Sequence, residues 1–64
     1  MRREDLAYLK EWVANHALVE AFVEPETLVN EMSVLLVDAT GSFTRRRIGG
    51  PKGIDVITRE LGVP

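Results

Sequence analysis

The chain has 64 residues, with eight Lys and Arg against ten Asp and Glu, one His and no Cys. No cysteine means no disulfide framework, no thiolate metal cluster and no cysteine nucleophile, and one histidine excludes His-rich zinc sites and His-pair mechanisms within one chain. Apolar residues at 45% and charged residues at 28% match ordinary globular usage, and no apolar run approaches the ~20 residues that span a bilayer.

Residues 4–15 read as a helix. Leu6, Leu9 and Val13 recur at helical spacing and Trp12 widens the stripe. Glu4 and Asp5 fall in the first turn, where the helix dipole favours anions, and Asn15 or His16 is expected to end the helix. Residues 18–24 read as a strand, with Val19, Ala21 and Val23 on one face and Leu18, Glu20, Phe22 and Glu24 on the other. Pro25, which has no N–H for a ladder, stops it. Residues 25–31 fit a helical turn, a loop or a strand extension equally well.

Residues 32–48 carry the clearest signal. A β-branched, apolar run from Met32 leads into Asp38-Ala39-Thr40-Gly41, and Ser42 to Ile48 follows, the pattern of a type I turn closed by a left-handed glycine bulge. A three-residue hairpin loop then sets Val37 opposite Phe43, Leu35 opposite Arg45 and Ser33 opposite Arg47 on one face. Met32, Val34, Leu36, Thr44, Arg46 and Ile48 share the other. Gly49-Gly50-Pro51 breaks the strand and opens a second helix over 51–61, capped by Gly62, with Ile54, Ile57 and Leu61 inward and Lys52, Asp55, Arg59 and Glu60 in water. The chain stops two residues after that cap, so a fragment of a longer protein is expected.

The predicted fold is therefore a single small α+β domain in the order α-β-β-β-α, a three-stranded antiparallel sheet with both helices on one face. Val19, Ala21, Val23, Val34, Leu36 and Ile48 are expected to meet Leu6, Leu9, Val13, Ile54, Ile57 and Leu61. The order resembles that of the double-stranded-RNA-binding domain across nearly the whole chain, a family that reads RNA shape and phosphates over two minor grooves. The resemblance is one of element order and implies the fold. The family's basic cluster falls on Lys52-Gly53-Ile54-Asp55, which holds one basic residue, and its minor-groove loop falls on the acidic residues 25–31.

Charge is uneven along the chain. Residues 1–38 hold three basic and eight acidic groups, and residues 39–64 hold five basic and two acidic ones. Arg45-Arg46-Arg47 alternates across a strand, so Arg45 and Arg47 point together; such a pair suits either bidentate phosphate contact or a solvated edge strand. Gly50 and Lys52 at the second helix start could add anion-binding groups, although the glycine spacing is neither a Walker loop nor a Rossmann fingerprint, and a plain turn accounts for it. His16, alone at a helix end, is expected to cap carbonyls or to sit exposed. Glu20, Glu24, Glu26 and Glu31 lack the oxygen-rich loop of a calcium site, and Ser33, Ser42, Thr40 and Thr44 have no histidine placed to activate them.

No catalytic residue, metal or cofactor is expected, and enzymatic activity is disfavoured by the scarcity of acid–base groups suited to neutral pH. The N-terminus has no apolar segment of a secretory signal, so a cytoplasmic protein without membrane contact is expected. A domain this short buries only ~60% of its unfolded surface, and with no disulfide to compensate it is expected to associate. The sheet face opposite the helices would present Leu35, Val37 and Phe43 with Leu18 and Phe22, an apolar patch that marks an interface with a second copy or another protein. The alternative function is nucleic-acid or anion binding through Arg45, Arg47, Lys52 and Gly50.

Overall fold

The computed structural model describes residues 1–63. Five elements follow one another: α1 (Arg3–Ala14), β1 (Glu20–Glu24), β2 (Ser33–Val37), β3 (Phe43–Arg47) and α2 (Lys52–Leu61). The three strands form one antiparallel sheet in the order β1-β2-β3, which is the expected α+β architecture. Pro64, expected to extend away from α2, lies outside the described residues.

α1 begins at an extended Arg2 without a side-chain cap, and its first turn carries Glu4 and Asp5. Its end is satisfied by side chains rather than by a left-handed residue. Asn15 Nδ2 donates to the carbonyl of Glu11 at 2.9 Å, and the His16 ring donates from Nδ1 to the carbonyl of Trp12 at 2.6 Å. These bonds fill two of the carbonyls a helix leaves open. Asn15 ends the helix as expected and sits at φ −101°, outside the left-handed region. That conformation falls instead on Leu18, at φ 55°. Leu18 therefore lies outside β1, which starts two residues later than the sequence suggests.

The hairpin has the expected register. Val37 pairs with Phe43, Leu35 with Arg45 and Ser33 with Arg47. Asp38 N–H donates to Ser42 C=O at 2.9 Å, Gly41 N–H donates to Asp38 C=O at 3.1 Å, and Gly41 takes φ 89°. The Asp38 carboxylate locks the loop further. Its Oδ1 accepts from the Thr40 hydroxyl at 2.7 Å and from the N–H groups of Thr40 and Ser42 at 2.8 and 3.0 Å. The Thr40 hydroxyl first, then those N–H groups and the nearby His16, hold the Asp38 carboxyl below the usual carboxylate range, against the opposing effect of burial.

The core consists of Leu9, Val19, Val34, Leu36, Ile48 and Ile57, with Trp12, Val13, Ala21 and Leu61 packed around it. Both helices thus cover one sheet face. Three expected core positions differ. Val23 and Ile54 are exposed, and Leu6 is half-buried outside the cluster. At Ile54 the cause is Gly53, which is buried in the first turn of α2. A Cβ built there would stand 2.1 Å from the Ile48 carbonyl oxygen and 2.6 Å from Ile48 Cβ. The missing side chain lets α2 press directly on the end of β3. The inward row of α2 then runs through Gly53 and Ile57, which turns Ile54 outward. Between α2 and β1 this leaves an apolar groove of about 220 Å³ lined by Ala21, Val23, Val34, Ile54, Ile57, Thr58 and Val63. Among the described residues, no buried side-chain nitrogen or oxygen lacks a hydrogen-bond partner.

Candidate interaction surface

Strand alternation puts Glu20, Phe22 and Glu24 of β1, Ser33, Leu35 and Val37 of β2, and Phe43, Arg45 and Arg47 of β3 on the face away from the helices. The ladder aligns them in three cross-strand rows: Glu20–Val37–Phe43, Phe22–Leu35–Arg45 and Glu24–Ser33–Arg47. Four of the five expected interface residues are therefore brought together. Phe43 is 64% exposed and Phe22 49%, while Leu35 and Val37 are half-buried between them. Leu18, the fifth, is off the ladder and 83% exposed. It holds a left-handed backbone that costs a leucine ~1–2 kcal/mol and gains no burial in the monomer from doing so.

Polar residues bound this face at one end. Glu24 and Arg45 form a two-pronged ion pair across β2, with Arg45 Nη2 donating to Glu24 Oε2 at 3.1 Å and Arg45 Nε to Glu24 Oε1. Ser33 Oγ donates to the same carboxylate at 3.0 Å. The Arg45 hydrogen bond is the main reason the Glu24 carboxyl sits below its ordinary range, with the Ser33 bond and the Arg45 charge assisting and burial opposing. The Glu24 hydrogen bond raises the Arg45 guanidinium in turn. Glu24 is thus already engaged within its own sheet.

The neighbouring arginines are matched in the same way. Arg47 Nη1 lies 3.1 Å from Glu31 Oε2. Arg46, on the helix face, lies 3.7 Å from Asp5 Oδ1 and stacks 3.9 Å above the Tyr8 ring. The Tyr8 hydroxyl shares a hydrogen bond of 2.9 Å with Thr44 Oγ1, which anchors α1 to β3. These groups line an open cleft of about 1270 Å³ at the end of the sheet, where Arg2, Arg45, Arg46 and Arg47 meet Asp5, Glu24 and Glu31. Four guanidiniums face three carboxylates, so the cleft keeps a small positive excess.

The expected anion-binding set does not converge. Neither Lys52 nor Gly50 lines the cleft that holds Arg45 and Arg47. At the start of α2 the N–H of Gly53 donates to the Gly50 carbonyl at 2.9 Å and the N–H of Ile54 donates to the Pro51 carbonyl at 3.1 Å. Those bonds take two donors, and Pro51 has no N–H to offer a third. Among the described residues no cluster of three or more His, Cys, Asp and Glu could hold a metal ion, and no helix is long and apolar enough to cross a membrane.

One feature escapes the sequence pattern. Residues 25–32 form a loop whose tip is closed by Thr27. Its N–H donates to the Asn30 carbonyl at 2.8 Å, and its Oγ1 accepts from the Asn30 N–H at 3.0 Å. The turn holds Leu28 and Val29 fully in solvent. Thr27 followed three residues later by Asn30 is the signal available, because Thr and Asn side chains close local turns. Comparison with known proteins adds no relative: no family model matches the chain, and neither a curated protein nor a solved structure matches it.

Proposed function

We propose that this chain is a non-enzymatic interaction module that self-associates through the open face of its sheet. One observation carries the reading: Phe22, Leu35, Val37 and Phe43 form a continuous apolar strip across three strands on the face that neither helix covers. Exposed sheet faces normally turn polar at alternate positions, whereas β2 is apolar on both faces from Val34 to Val37. The strip is framed by Glu20, Glu24, Arg45 and Arg47, an apolar centre with a charged rim. A single such patch serves both subunits of a symmetric dimer.

Phosphate binding is the weaker reading, because each arginine on β3 already faces a carboxylate of its own chain. A phosphate would have to displace those partners. Salt dependence separates the two functions: phosphate binding weakens steeply with salt, whereas apolar association does not.

The direct test is Phe43→Glu or Val37→Glu, followed by light scattering across concentration. Either carboxylate would be desolvated at the centre of the contact, so each variant is expected to be a monomer of lower stability. A variant that associates as the wild type does would place the contact elsewhere.

A further inference from the structure

The rows of the open face also determine how two copies lie on one another, given the self-association proposed above. The face is charged asymmetrically: both its carboxylates are on β1 and both its guanidiniums are on β3, with the apolar residues of β2 between them. Two copies packed face to face are related by a two-fold axis lying in the contact plane. An axis across the strands sets β1 over β1. Glu20 then lies over the partner's Glu24, and Arg45 over the partner's Arg45. An axis along the strands sets β1 over β3 with the rows kept level. Glu24 then lies over the partner's Arg47, Phe22 over the partner's Arg45, and Leu35 over the partner's Leu35.

We propose the second arrangement: two copies pack open face to open face about an axis parallel to β2, with β1 of each over β3 of the other. It replaces juxtaposed like charges, which interfaces avoid, with opposite charges in two equivalent places. Either axis puts a guanidinium on an aromatic face twice, Arg47 over the partner's Phe43 in the first and Arg45 over the partner's Phe22 in the second, so the carboxylates and guanidiniums decide between them. Aligned sheets cross at about 30° and stack ~10 Å apart, distances that Glu and Arg side chains reach across. Glu24 keeps Arg45 and Ser33, but its side chain is still 39% exposed, so its carboxylate can accept from the partner's Arg47 as well. Arg47 and Glu31 remain largely in water around their contact, so Arg47 is free to turn toward a second carboxylate. Five residues on each of three strands give a face of only about 14 by 17 Å, so the association is of the low-affinity class.

Charge reversal reads the arrangement directly. Arg47→Glu sets Glu24 against the partner's new carboxylate at both ends, and Glu24→Arg sets two guanidiniums together. Each variant measured by itself in sedimentation velocity is expected to associate about tenfold more weakly than the wild type. An equimolar mixture pairs one native contact with one reversed contact, and is expected to recover wild-type association as a heterodimer. Thermal melts followed by circular dichroism establish that both variants are folded. Glu24→Gln covers the case in which Glu24→Arg does not fold beside Arg45. It is expected to weaken the dimer, whereas with β1 over β1 it would strengthen it by relieving the partner's Glu20.

An Arg47→Glu variant that associates as the wild type does, or a mixture without recovery, overturns the axis while leaving self-association intact. A wild-type chain that stays monomeric overturns self-association itself, and this arrangement with it.

Discussion

Alanine in place of a helical glycine ordinarily stabilises a protein by ~0.5–1 kcal/mol, because alanine loses less backbone entropy on folding. Gly53→Ala in α2 is expected to do the reverse. The added carbon would stand 2.1 Å from the Ile48 carbonyl oxygen, 2.6 Å from Ile48 Cβ and 2.9 Å from the Ile48 carbonyl carbon. Carbon and carbonyl oxygen approach to ~3.3 Å at closest, so α2 must retreat by about 1 Å. The obstacle is backbone at the end of β3, which cannot rotate away. A retreat of α2 also draws Ile57 from the core it fills with Leu9, Leu36 and Ile48.

Overpacking of this kind costs ~1–3 kcal/mol, and a backbone clash belongs to the upper part of that range. After the helix-propensity gain, the net loss is about 1–2 kcal/mol. For a domain of this size that lowers Tm by roughly 4–16 °C. Urea unfolding followed by the fluorescence of Trp12, the only tryptophan, measures it, at one fixed protein concentration because association adds to apparent stability. Gly41→Ala is the control. Nothing lies within 4 Å of a Cβ there, so its cost is the positive φ by itself, ~1 kcal/mol. A Gly53→Ala midpoint equal to or above that of the wild type would refute the close approach of α2 to Ile48.

Gly41→Val is expected to lower stability by at least ~1 kcal/mol, since a β-branched residue fits φ 89° poorly; an unchanged denaturation midpoint would exclude the left-handed bulge. Asp38 and Glu24 are both depressed in the folded state, so each contributes stability that is fully present above its ordinary pKa and is lost as the pH falls through the folded one. Stability is therefore expected to be level from pH 7 to about 5 and to decline below about 4, with a shallower decline in Asp38→Asn; a pH profile of urea midpoints checks both.

Local chemistry made the hairpin legible from sequence. Asp38 and Gly41 fix the turn, the turn fixes the register, and the register assigns every residue of β2 and β3 to a face. The open-face strip followed from that assignment. What sequence reasoning missed depends on approach distances between elements. The Gly53 spacing signal is indistinguishable from a plain Gly-Pro turn until Ile48 is known to lie against it, and the same contact decides that Ile54 faces outward. The left-handed Leu18 has no glycine or asparagine to announce it. The pairing of Arg47 with Glu31 needs the loop between β1 and β2 to return over the end of the sheet, and its composition left three conformations open.

Self-association through the open sheet face is tested most directly by sedimentation velocity on the wild-type chain from ~1 to ~100 μM, a range that brackets a micromolar dissociation constant. The sedimentation coefficient should rise with concentration from that of a 7.2 kDa monomer toward that of its dimer. A coefficient that stays at the monomer value through ~100 μM would contradict self-association and leave Phe22, Leu35, Val37 and Phe43 to a different protein.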